Sequence, residues 1–110
     1  MDAAAEELAD RVRALLETGG DVEEKRMFGT RAFLVRGHIL VGVRTGGVLL
    51  VRVAESTGEG LLGREGVATA VMGTRTMGTG WLDVSPAALS GDQELMDWID
   101  IAREDAEQRP

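Results

Sequence analysis

The sequence contains no cysteine and no tyrosine, a single histidine, a single lysine and two prolines, and aromatic residues make up only 4% of it. Without cysteine there can be no disulfide, no thiolate nucleophile and no cysteine-ligated zinc or iron–sulfur centre. One histidine, His38, would leave a zinc site dependent on three or more carboxylates, and no acidic residues fall at a recognised metal-binding spacing. His38 itself sits beside Gly37 in a turn, with no nucleophile or orienting partner near it in the sequence, so no catalytic residue is nominated. Walker A spacing and the dinucleotide fingerprint are both missing. The expectation is a domain without metal or cofactor, more an interaction module than an enzyme. No apolar run approaches the roughly 20 residues needed to span a bilayer. The N-terminus carries Asp2, Glu6 and Glu7 where a secretory signal would be basic. A cytoplasmic protein with no membrane partner is expected.

What is present reads as one globular domain over residues 1–110. Apolar residues are 44% and charged residues 28% of the chain, and Gly is frequent at 15 residues. A chain of this size buries roughly two thirds of its unfolded surface, enough for one core, which must be largely aliphatic. The formal net charge is −7, but it is unevenly spread. Residues 1–24 and 83–110 are strongly acidic, whereas Lys25 to Ala54 holds six basic residues and no acid. The molecule as a whole repels phosphate, and Phe33 alternates onto the face opposite the strand arginines, leaving them no aromatic platform; specific nucleic-acid binding is not expected.

Leu8, Val12, Leu15 and Leu16, with Ala5 and Ala9, form the apolar stripe of a helix from about Ala3 to Thr18, ended by Gly19-Gly20. Ala32 to Arg36, Ile39 to Arg44 and Val48 to Val53 are short Val/Ile/Leu-rich segments divided by Gly37-His38 and Thr45-Gly46-Gly47, which predicts a three-stranded antiparallel meander. A short helix or turn around Ser56 to Leu62 follows, despite Gly58, Gly60 and Gly63. Val67 to Met72 and Gly80 to Val84 are two further strands, joined by a loop through Arg75 and Met77. Ser85-Pro86 starts a single turn, Ser90 with Gln93 resembles a capping box, and Leu95, Trp98, Ile99, Ala102 and Ala106 mark the buried stripe of a final helix. Helix, three strands, weak helix, two strands, helix is an α+β order with an antiparallel sheet.

Arg26-Met27-Phe28-Gly29 ahead of the meander, the hairpin turning at Gly37, the Val48 to Val53 strand with Arg52, the Arg75-Thr76-Met77 loop leading to Gly80-Trp81, and the Leu95 to Trp98 helix together resemble the TfoX N-terminal domain family. The resemblance runs from about Leu8 to Ala106. In the loop, Thr76 stands where the family commonly has proline, the family's lysine is missing, and an extra residue lies between Met77 and Gly80. The resemblance implies an α+β domain of the order just derived. For the best-known members it implies a part in regulating natural competence alongside a catabolite-type transcription activator. Those members carry a second, C-terminal domain, and a chain of this length is expected to be the N-terminal type standing alone.

Two candidate surfaces follow. Strand alternation places Phe33, Val35, Val41, Val43, Leu49, Val51 and Val53 on one face. Leu34, Leu40 and Leu50, rimmed by Arg36, Arg44 and Arg52, are expected on the other, as an interface for self-association or a protein partner. The alternative is a small anion- or ligand-binding domain or an enzyme of unassigned reaction, with its site between Arg26 and the Gly73 to Gly80 loop. That site would use Arg26, Met27, Phe28, Gly29, Arg75, Met77, Gly80 and Trp81.

Overall fold

A computed structural model describes residues 2–16, 21–27 and 29–108. The α+β expectation holds: α1 (Ala3–Leu16), a meander of β1 (Val22–Met27), β2 (Thr30–Val35), β3 (His38–Arg44) and β4 (Val48–Arg52), then α2 (Glu55–Leu61). After these come β5 (Val67–Thr69), β6 (Val71–Met72), β7 (Arg75–Thr76), β8 (Trp81–Val84), a 3₁₀ turn at Pro86–Leu89 and α3 (Asp92–Glu107). Six strands form one antiparallel sheet in the order β1-β2-β3-β4-β8-β5, and β6 with β7 makes a separate two-stranded hairpin.

The meander has four strands where the hydrophobic pattern predicts three. β1 reads Val-Glu-Glu-Lys-Arg-Met, has no apolar alternation and is mostly exposed, yet all six of its residues pair with β2. It is an edge strand, where charge is tolerated and discourages pairing with other chains. Glu24 fastens it: the Arg13 guanidinium of α1 donates to both carboxylate oxygens at 2.9 Å, and Arg31 of β2 lies 3.3 Å away. Arg13 lowers the pKa of Glu24, with Arg31 adding a weaker pull in the same direction. Arg11 crosses from α1 to Asp92 of α3.

One sheet face carries the core. Phe33, Val41, Val43, Leu49, Val51, Leu82 and Val84 are buried beneath α1 and α3, whose stripes of Leu8, Val12 and Leu16, and of Leu95, Trp98 and Ile99, match the helical periodicity of the sequence. The predicted helix end at Thr18 and Gly19-Gly20 lies outside the described residues. Asp2 caps α1 by accepting the Ala5 N–H at 2.9 Å, while its other oxygen accepts the Gly46 N–H at 2.8 Å, tying the helix start to the β3–β4 turn. At α3 the cap falls one residue later than the sequence suggests: Glu94, not Gln93, reaches back to the backbone N–H of Gly91. Gly58 fits α2 because of space and not flexibility, since a Cβ there would stand 1.6 Å from the Thr79 carbonyl oxygen. Among the described residues no helix is long and apolar enough to cross a membrane.

Candidate ligand-binding site

The sheet face away from the helices is not flat. At its centre Ala32 of β2 pairs with Gly42 of β3, and Gly42 with Leu50 of β4, so two of three adjacent positions carry almost no side chain. Gly42 has ordinary backbone angles; a Cβ on it would come within 2.7 Å of the Thr30 methyl. The missing side chains leave a depression, and the chain builds walls around it. Met27 closes one side from β1, Trp81 the other from β8, and the β6–β7 hairpin brings Met72, Arg75 and Met77 over it. The result is a concavity of about 390 Å³, within the range of small-ligand pockets, lined almost wholly by apolar atoms. Three of the lining residues are methionines, whose flexible thioethers adapt to differently shaped occupants.

The hairpin is held in place by backbone and by Arg44. The Met77 N–H donates to the Ala70 carbonyl, the Ala70 N–H to the Trp81 carbonyl, and the Arg44 guanidinium to the Val71 carbonyl at 2.7 Å. The same guanidinium donates to both oxygens of Asp83 on β8. Arg52 lies 5.1 Å from the Trp81 ring centroid, stacking on the indole that walls the cavity.

Two expectations thus converge and are partly corrected. Met27, Arg75, Met77 and Trp81 from the motif list and Leu50 from the interface list line the same concavity. Arg26 does not join them. It neighbours Met27 in a regular strand and pairs with Arg31, so alternation sends it to the helix side of the sheet, opposite the face where Arg75 lines the hollow. Gly29 borders an adjoining polar recess with Thr30, Arg44 and Asp83; Gly80 accepts the Val53 N–H and supports the strand before Trp81. Phe28 lies outside the described residues.

The expected interface face is also redrawn. Leu40 belongs to the helix-side core, because a β-bulge between Phe33 and Leu34 shifts the register and lets Ile39 take the outer place. Arg36 sits in the β2–β3 turn with φ +52° and lines a mixed polar cleft with His38 and Arg103, on the helix side. Leu34 and Leu50 do face outward but are nearly buried within the single chain, and Arg44 and Arg52 hold Asp83 and Trp81 instead of rimming a free surface. Sequence reasoning missed Thr30, Ala32, Ile39, Gly42 and Met72. The signal for two of them was available: Ala32 and Gly42 are small residues in mid-strand on the same alternation face as Leu50, which marks a dip in a sheet. Among the described residues no group of three or more histidine, aspartate or glutamate side chains is placed to hold a metal ion.

An antiparallel sheet backed by two helices, with a small hairpin over its other face, defines the class: an α+β domain. The family model for the TfoX N-terminal domain matches residues 14–106, and the chain belongs to that family. No curated protein and no solved structure matches it.

Proposed function

We propose that this chain is a non-enzymatic binding domain whose working site is the methionine-lined concavity on the outer sheet face. One observation supports the reading: opposite the face that carries the helices and the core, the sheet keeps an open apolar hollow built by small residues and walled by a hairpin. A hollow that served only folding would be filled, because an unfilled apolar cavity forfeits packing. Occupancy would alter the surface offered by the β6–β7 hairpin, which is how a domain of this kind would serve a regulatory role such as the competence regulation of the two-domain relatives.

The test is a titration with an uncharged apolar probe, 1-octanol, followed through methyl resonances of ¹³C-methyl methionine. Met27, Met72 and Met77 should shift while Met96 in α3 stays still. In an Ala32→Leu variant, whose larger side chain grows into the hollow, the shifts should be lost with the fold retained. Unmoved methyls at millimolar probe would overturn the reading.

Self-association through the same face is a second reading, favoured by Val71, which is 44% exposed on the hairpin and is the large hydrophobic left most open among the described residues. Light scattering at micromolar concentration decides it: a strict monomer removes it.

A further inference from the structure

The chemistry of the hollow's lining and rim restricts what can occupy it. Its polar atoms are few, so an occupant's buried part would find almost no hydrogen-bonding partners. A peptide backbone placed there would leave amide groups unsatisfied, each at a large desolvation cost. The buried part must therefore be hydrocarbon. The volume, near the lower end for ligand pockets, accommodates one short hydrocarbon tail.

The rim adds a second requirement. Arg75 lines the hollow from β7 and is exposed, and among the described residues it takes part in no ion pair. The other arginines of this face are already engaged, Arg44 with Asp83 and the Val71 carbonyl and Arg52 on the Trp81 ring. An unpaired guanidinium at the mouth of an apolar pocket complements a planar anion, which it can hold through two parallel hydrogen bonds.

From this charge complementarity, and resting on the binding-domain reading above, we infer that the occupant is a free medium-chain monocarboxylate. Its tail lies among Met27, Met72 and Met77 over the Ala32–Gly42 floor, and its carboxylate meets Arg75. The flexible thioethers let the pocket fit tails of differing length, so head group sets selectivity and tail length sets it weakly.

The experiment compares octanoate, 1-octanol and octylammonium in the same methionine-methyl titration, on the parent chain and on Arg75→Gln. Arg75 is exposed and outside the main sheet, so the variant should keep its fold, checked by the unmoved Met96 methyl. On the parent, octanoate should bind about fivefold more tightly than octanol, the scale of a partly solvated ion pair, and octylammonium should bind weakest. Arg75→Gln should bring octanoate down to the affinity of octanol and leave octanol unchanged. Equal affinities on the parent, or an octanoate affinity insensitive to Arg75→Gln, would overturn the carboxylate assignment while leaving the apolar site standing. No movement of the three methyls with any probe would overturn both.

Discussion

Glycine at two positions shows how a missing side chain can be the functional feature. At Gly42 the absent Cβ opens the floor of the hollow; at Gly58 it lets α2 approach the chain at Thr79. Alanine is an excellent helix former, so propensity alone predicts that Gly58→Ala stabilises α2 by about 1 kcal/mol. Contact geometry predicts the reverse. A Cβ 1.6 Å from a backbone carbonyl oxygen cannot be accommodated without moving backbone, and overpacking of this kind costs about 1–3 kcal/mol. The net expectation is a destabilised protein. Urea denaturation of Gly58→Ala checks it, and a raised midpoint would contradict the packing argument.

At the scale of elements, β1 depends on a few polar contacts because it brings little apolar surface. Glu24→Gln keeps the shape of the side chain but removes the charge that joins Arg13 of α1 to Arg31 of β2. The pairs are partly exposed, so after screening the loss should be about 1 kcal/mol, a fall of several degrees in Tm for a domain of this size. The pH dependence follows from the same contact. The pKa of Glu24 lies below its ordinary 4.5 in the folded chain, through the hydrogen bonds from Arg13 and then the charge of Arg31. The unfolded chain therefore binds protons more readily as pH falls, and the stabilisation present above about pH 4.5 is lost on acidification through the folded-state value. Asp2 acts in the same sense: its pKa is lowered by the Ala5 and Gly46 N–H groups. Thermal melts from pH 6 to pH 3 should show Tm falling for the parent and falling less steeply for Glu24→Gln; parallel curves would remove Glu24 from this role.

For the whole molecule, the layers differ in charge. The acidic ends of the sequence form α1 and α3, which lie together on the helix side, while the basic central segment forms strands. Neither long helix could enter a major groove without repulsion. On the sheet side, Arg44 is paired with Asp83 and Arg52 is stacked on Trp81, which leaves fewer cations for phosphates than the sequence count suggests. The chain alone should therefore form no sequence-discriminating DNA complex at physiological salt. Mobility-shift titrations at low and physiological salt are the measurement, and a tight complex that persists and discriminates between sequences would refute it.

Local pattern was sufficient wherever one face of an element is apolar. The stripes of α1 and α3, the alternation of Phe33, Val41, Val43, Leu49 and Val51, and the turns at Gly37 and Gly46-Gly47 all follow from periods of 3.6 and 2 and from turn chemistry; with them came the α+β order and the family. Local pattern could not reveal β1, because a charged edge strand is held by long-range partners, Arg13 among them. It could not place Leu40, because one bulge in the β2–β3 pairing reverses which residues face the core. Nor could it assemble the candidate site. Met27, Gly42, Leu50, Arg75 and Trp81 come from four strands of the large sheet and one of the hairpin, and only their folding together turns two small side chains into a hollow with a wall of methionines and an arginine at its mouth. The sequence determined which residues would be buried in elements with a regular apolar period; strand order and register, which depend on contacts between distant segments, decided what the remaining face could hold.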